Sequence, residues 1–522
     1  MQCQEKPSPR WFGLPVAALR LAAAISLAGD ARRLRHALAC AMAGAAVTGC
    51  AHPQGVDTLP LRDAPPFTAD GQQGAPALPD RWWTAFDDAS LDAAVDRAVR
   101  DNFSLAAAWE RLRAARAIAD REGADLWPSL DGIASAQWSK TYGDDDDDFD
   151  DAAGFDSDFD DDADTEYSLG LEASYEVDLW GRIRSRVEAE RLRAEATAAD
   201  YRTAALTLSA EVTRTWYRLA EARRQLGILE QQIDTNESVV ELLETRFAAG
   251  QVRGADVLRQ QQLVEATREQ AVRTRRRRAL LRNQLAVLQG EPPQAAIEVP
   301  AGELPELAPP PAVGLPAELV KRRPDVLQAR RVLEAADRDL ASAVADQYPR
   351  VNLTASLVST AEDPGGLFED ALASITGQLV APLFDAGQRR AEVNRTEAVT
   401  RQRVAEYGQT VLTAFREVED AIAAERFDTR RIERVQRQLR LSRQTLEQLR
   451  TQYLNGVTDY IAVLTALTEQ QQLERDLVTA RLARLESRIG LYRALAGGFE
   501  TPREVAAETD PPEAEDKDTD HE

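Results

Sequence analysis

From Leu208 to Phe247 the seam positions step by four and three without a break. They are Leu208, Val212, Thr215, Leu219, Ala222, Leu226, Leu229, Ile233, Asn236, Val240, Leu243 and Phe247. A 3.5-residue repeat held this long predicts a supercoiling helix packed knobs into holes. Residues 181–249 hold no proline and one internal glycine, Gly227, so the helix runs as a rod of roughly 100 Å at ~1.5 Å per residue. Gly250 follows the last seam residue, where a helix end needs a left-handed backbone. Helical pattern resumes over 255–289, which makes an antiparallel hairpin. The succession recurs at 388–454 and 459–495, with Val418, Ile432, Val435, Leu439, Leu446, Leu449 and Tyr453 on the seam and Gly456 at the turn. Ahead of each hairpin the spacing predicts a further helix, over 91–126 and 317–347.

Between these helices the period changes to two. Tyr167, Leu169, Leu171, Ala173, Tyr175 and Val177 alternate with Ser168, Gly170, Glu172, Ser174 and Glu176. Ile375, Gly377, Leu379, Ala381 and Leu383 alternate with Ser374, Thr376 and Gln378. Strands are predicted at 129–142, 166–179, 351–359 and 374–383. Alternating segments of about ten residues with aromatics near their ends fit a transmembrane β-barrel, although alternation alone favours an ordinary half-buried sheet. The order helix, strand pair, hairpin thus occurs twice. Trp127-Pro128-Ser129-Leu130 matches Tyr348-Pro349-Arg350-Val351, and Phe247-Ala-Ala-Gly250 matches Tyr453-Leu-Asn-Gly456. The two offsets differ by 15, which places a longer loop between the strands of the first copy. The chain is an internal duplication.

Charge sharpens this organisation. The net charge of −24 is uneven: from Gly143 to Glu166 there are fourteen acidic residues and no basic one. Such density predicts a solvated, disordered loop between the first two strands. Asp156-Ser-Asp158-Phe-Asp160 touches the pattern of a calcium loop but lacks its glycine and distal glutamate. Eight prolines in 290–316 mark a linker between the copies. The predicted domains are a leader at 1–49, a linker at 50–80, repeats at 81–290 and 317–498 joined by 291–316, and an acidic disordered tail at 499–522.

The leader reads as a bacterial lipoprotein signal. Arg32-Arg33-Leu34-Arg35 supplies a basic region, 37–47 is apolar and small, and Val47-Thr48-Gly49-Cys50 ends it as a lipobox; cleavage leaves Cys50 as the acylated N-terminus. A second apolar stretch, 11–28, precedes it; a translation start further downstream accounts for both. Removing 1–49 takes six basic and two acidic side chains, leaving a charge of −28, and Cys50 as the one remaining cysteine. No disulfide can form within that chain. Ala51 stands where lipoproteins retained at the inner membrane carry Asp, which points Cys50 to the outer membrane. After Cys50 no apolar run approaches the ~18 residues of a spanning helix. A membrane crossing must therefore be made by strands.

Four stretches resemble the TolC-like outer membrane efflux family, in its lipoprotein branch. They are Trp82-Trp83-Thr-Ala-Phe86-Asp-Asp88 followed by Leu91 and Asn102; Leu315-Pro316 with Arg322-Arg323-Pro324-Asp325-Val326; Tyr348-Pro349-Arg-Val-Asn-Leu353-Thr-Ala355; and Pro382-Leu383-Phe384-Asp385-Ala386-Gly387. The resemblance, over about 78–498, implies an α+β membrane protein in which each repeat gives a strand pair and long coiled-coil hairpins. Four strands cannot close a barrel, so three chains would form a 12-stranded β-barrel continued by a periplasmic α-helical barrel. It also implies a homotrimer in outer-membrane lipid, working with a periplasmic adaptor and an inner-membrane pump as the duct of a multidrug-type (RND) efflux system. The exit of a type I protein secretion system is the alternative. In the family the inner hairpin's tip carries acidic rings; here the matching positions are Ala462 and Thr465. Asp256 matches an acid of the outer hairpin's tip, and Asp459 sits one residue from a polar tip position. The competing reading of both aspartates is helix N-capping.

Other classes find little. Three histidines, His36, His52 and His521, lie outside every predicted element, and no nucleophile motif, phosphate loop or paired cysteine ligand occurs. No enzyme and no cofactor are expected. Arg275 to Arg278 reads as a solvated helix face and not a nucleic-acid site. An adaptor scaffold would share the hairpins but has no use for alternating strands.

Overall fold

The computed structural model describes Phe67 and residues 79–140, 163–295, 304–311 and 316–509. All lie in one unit, Leu59–Glu522. The leader, Cys50, residues 141–162 and the last thirteen residues lie outside the described residues; of the segments expected to be disordered, 163–166 are strand and 499–509 are folded, with Phe499 and Thr501 buried.

Two helices, α1 (Ala89–Asp101) and α2 (Phe103–Ala124), lead into strands β1 (Ser129–Lys140) and β2 (Ala163–Val177). The hairpin α3 (Arg182–Ala248) and α4 (Gly254–Leu288) follows. The second copy runs α5 (Pro316–Arg322), α6 (Pro324–Ala345), β3 (Arg350–Ala361), β4 (Leu372–Val380), α7 (Gln388–Leu454) and α8 (Tyr460–Leu495), and a short α9 (Pro502–Thr509) ends it. α3 and α7 are each 67 residues long and start and stop at a constant offset of 206.

Two expected helices are broken. The helix foreseen over 91–126 divides at Asn102, whose backbone is extended and whose Oδ1 accepts from Leu105 N at 3.0 Å, capping α2. Its Nδ2 donates to Leu288 O at 3.0 Å, so the break seats α4's end. Gly290 passes so close to Asp101 that a Cβ would lie 2.4 Å from its carbonyl oxygen, at φ +76°; only glycine fits. The helix foreseen over 317–347 divides at Arg323, because Pro324 forces the residue before it out of the helical region. Strand β4 ends at Val380, short of Ala381 and Leu383, since Pro382 has no amide to continue the ladder.

Trp82, Trp83 and Phe86 sit fully or almost fully buried in the main core with Tyr217, Tyr492 and Phe499. Trp82 Nε1 donates to Ser209 Oγ at 3.2 Å, and Trp216 Nε1 to Asp88 Oδ2 at 3.0 Å. The other oxygen of Asp88 caps α1 at Ser90 N and Leu91 N. One carboxylate thus ties the N-terminal block to α3. Across the helices Arg488, wholly buried, donates through Nε and Nη2 to both oxygens of buried Glu425 and through Nη1 to the carbonyl of Ala308 at 2.8 Å, which pins the Pro-rich linker. Along the α3 seam Val212, Thr215, Leu219, Ala222, Leu226, Leu229, Asn236 and Leu243 are buried, while Phe247 is exposed at the helix end.

Candidate duct: sheet faces and hairpin tip

The four strands form one antiparallel sheet in the order β1-β2-β3-β4. Side chains of cross-strand partners share a face. The register therefore places Leu130, Ala173, Leu353 and Gly377 with Leu169, Leu171, Leu357, Ile375 and Leu379 on one face. The opposite face carries Ser129, Asp131, Ser135 and Gln137 with Glu166, Glu172, Asn352, Thr354, Ser356, Ser374 and Thr376. Serine pairs cross-link this polar face: Ser129–Ser174 at 2.8 Å, Ser135–Ser168 at 2.7 Å and Ser356–Ser374 at 2.8 Å. One apolar row interrupts it: Ile133, Val358 and Leu372, with Gly170 between.

The apolar face stays uncovered: Leu130, Leu171, Leu357, Ile375 and Leu379 are all exposed. Leu130 to Trp138 spans about 26 Å at ~3.3 Å per residue, the height of a barrel's lipid band of about 25 Å. Where the strands meet the helices, Trp127, Trp180, Leu383 and Phe384 are exposed, the last two at 94% and 91%. Trp180 stacks on Tyr348 at 4.9 Å and donates to Pro349 O at 2.8 Å, joining the strand exit of one repeat to the strand entry of the other. Trp138 and Phe368 are exposed at the far end. These are two aromatic girdles. Strands β1 and β4 each have one partner, and lipid tolerates no unpaired strand edge.

At the opposite end the hairpins turn on Gly250 and Gly456, with φ +72° and +74°. Gly250 N bonds Phe247 O at 2.9 Å and Gln251 N bonds Arg246 O at 2.9 Å, which closes the carbonyls of α3. Leu243, Val257, Leu446, Tyr460 and Val463 bury each other there. Asp256 lies in the first turn of α4, not at its N-cap, which is Arg253. Its carboxylate is buried and paired with Arg253 at 3.4 Å and Arg259 at 3.1 Å. Asp459 holds the N-cap position of α8, is exposed, and makes no side-chain cap bond. Side-chain capping therefore accounts for neither aspartate. Thr465 is exposed, its hydroxyl bonded back to Ile461 O at 2.9 Å, and Ala462 is half-buried.

A buried amide chain joins the hairpins just above the tip. Tyr460 Oη donates to Gln260 Oε1 at 2.7 Å, and Gln260 Nε2 donates to Asn236 O at 3.0 Å. Gln471 Nε2 donates to Asn236 Oδ1 at 2.9 Å, and Gln232 Nε2 to Gln471 O at 3.1 Å. Burial pushes the Tyr460 hydroxyl well above its usual range, with the Tyr453 hydroxyl and the Asp256 charge adding to it, so it stays a donor. Sequence singled out Asn236 only as a seam position. A polar residue at a seam position was the one available signal, since glutamines on a helix read as surface. No group of His, Cys, Asp and Glu among the described residues is placed to hold a metal. No described helix is long and apolar enough to cross a membrane.

The model of the outer membrane efflux protein family matches residues 94–291 and 315–497. The chain belongs to this family. The pyoverdine export outer membrane protein OpmQ of Pseudomonas aeruginosa is 34% identical over 82% of this chain and 90% of its own length. OprJ of the same organism is 32% identical over 85% and 92%. Among solved structures, the outer-membrane channel OprN superposes with a TM-score of 0.76 at 29% identity, covering 84% of this chain and 97% of its own. The protein is an outer-membrane efflux channel with the TolC-like fold, and the family consists of channel proteins.

Proposed function

We propose that the chain is the outer-membrane duct of a tripartite pump of the resistance-nodulation-division type, a passive exit for small molecules. Three chains close the barrel: each sheet lends β1 and β4 to its neighbours, the apolar faces meet lipid and the polar faces line a wet lumen. The observation that carries this is the sheet itself, two-faced, uncovered and open at both edges. The long hairpins reach into the periplasm, towards an adaptor and the pump. Relatives name different cargo, pyoverdine for OpmQ and cations for the efflux protein CusC of Escherichia coli, so family membership leaves the cargo open. Deleting the gene should raise accumulation of an efflux-reporting dye, and the intact gene should restore export. Unchanged dye with blocked release of a polypeptide would put the chain in a type I secretion system instead.

The reading extends to both ends of the chain. Cys50 carries lipid, a second anchor beside the barrel. At the tip, Asp256 and Asp459 hold the closed state; without acids at Ala462 and Thr465, closure rests on the apolar cluster and the Tyr460–Gln260–Asn236 bonds. Asp256→Ala with Asp459→Ala should raise ion conductance in planar bilayers, and unchanged conductance would remove both aspartates from the gate.

A further inference from the structure

The loop joining β3 to β4 leans over the outer part of the sheet's apolar face. Ser359 stands on that face opposite Leu169, is buried, and donates its hydroxyl to the carbonyl of Asp370. Asp363 Oδ1 accepts from Gly365 N at 2.8 Å and Gly366 N at 3.2 Å, and this turn brings Leu367 and Phe368 over the strands. Beneath them lies a groove of about 480 Å³, within the range of roughly 300–1,000 Å³ of small-molecule sites. Its floor is two register rows, Gly132–Leu171–Leu357 and Ala134–Leu169–Ser359. Gly132 and Ala134 leave that floor low beside the leucines, and a Cβ on Gly132 would meet no atom within 4 Å. Leu169, Leu171 and Leu357 remain part-exposed, so the loop roofs the groove without closing it.

We propose that this groove holds one acyl chain of an amine-headgroup phospholipid, clamped between Leu367 and Phe368 above and the leucines of β2 and β3 below. The inference rests on the proposed function in one respect, that the apolar face meets lipid. Depth decides what can enter. Ala134 lies about 13 Å above Leu130 at ~3.3 Å per residue, halfway up a lipid band of about 25 Å. The groove therefore opens among the hydrocarbon of the outer leaflet. An apolar cavity stays dry and takes apolar groups, and at that depth these are acyl chains. Charge on the loop selects the headgroup. Glu362, Asp363, Glu369 and Asp370 are exposed on it, and residues 351–388 contain no Lys or Arg. Such a rim attracts an ammonium group and repels a headgroup charged by phosphate alone.

The test is native mass spectrometry of the full-length protein, extracted from outer membranes in mild detergent, stripped of lipid and re-exposed to phosphatidylethanolamine or phosphatidylglycerol. The wild type should retain one phosphatidylethanolamine per chain and several-fold less phosphatidylglycerol. Gly132→Leu puts a side chain into the open floor and should cut that retention several-fold with the mass of the assembly unchanged. Phe368→Ala removes a ring that is 83% exposed, so the fold should survive while retention falls again. Equal retention in both variants overturns the proposal, as does equal retention of the two lipids. So does freshly extracted protein whose Gly132-dependent adduct is lipid A. An intact assembly that keeps no lipid overturns this proposal alone, whereas a chain absent from the outer membrane would sink the duct reading and the proposal with it.

Discussion

Single buried charges in the helical region have effects that can be read one at a time. Arg488 and Glu425 are buried against each other, and removing one partner of such a pair leaves an uncompensated charge. Arg488→Met should cost about 3–5 kcal/mol, seen as a lower denaturation midpoint in detergent. Adding Glu425→Leu should recover most of it; no recovery would mean that the contacts to the linker carbonyls matter more. Glu221, buried in the middle of α3, is a different case. Burial raises its carboxyl above the ordinary range, opposed by Arg277 at 2.9 Å and a bond from Gln225. A raised folded-state value means that the native chain holds this proton to higher pH than the unfolded chain. Its stability contribution is then full below the ordinary carboxylate range and lost as pH rises through the raised value. Glu221→Gln should melt higher than wild type at pH 8 and lose that pH slope, and a lower melting point at pH 8 would show that the pair with Arg277 outweighs burial.

At the level of elements, the two faces of the sheet give opposite expectations for the same substitution. Leu171→Arg puts a guanidinium into the lipid band, at a cost of about 2–4 kcal/mol near the midplane, and the trimer recovered from outer membranes should fall sharply. Ser168→Arg, three residues away on the polar face, should assemble normally. Equal loss for both would mean that the face assigned to the lumen is not wet. Strand alternation was legible in sequence because Leu169, Leu171 and Ala173 change polarity with every step, and the hairpins because their seam never breaks. The helix breaks were not. Asn102 caps one helix and seats another through a contact 186 residues away, and the 91–126 pattern is periodic on both sides of it. Arg323 precedes a proline, a local signal that the surrounding periodicity outweighed. The amide chain at the tip was hidden for a related reason: Gln260 and Gln471 show their role only once two hairpins, themselves read correctly, lie side by side.

The molecule as a whole was legible mainly through its duplication, which sequence reveals as repeated motifs at nearly constant offset. Membership of the outer membrane efflux family then follows from matches covering both repeats. What one chain does not hold is a closed barrel: β1 and β4 each have one partner in it, and the second partners are the part that the proposed assembly supplies. The N-terminus tests the membrane anchor separately: mass spectrometry of the mature protein should find a diacylated Cys50, and an unmodified cysteine or another start would remove the anchor. The central claim concerns the assembly. Native mass spectrometry of the protein extracted from outer membranes in detergent tests it most directly. Three chains in one particle are predicted, and a stable monomer or dimer with its sheet intact would contradict the account.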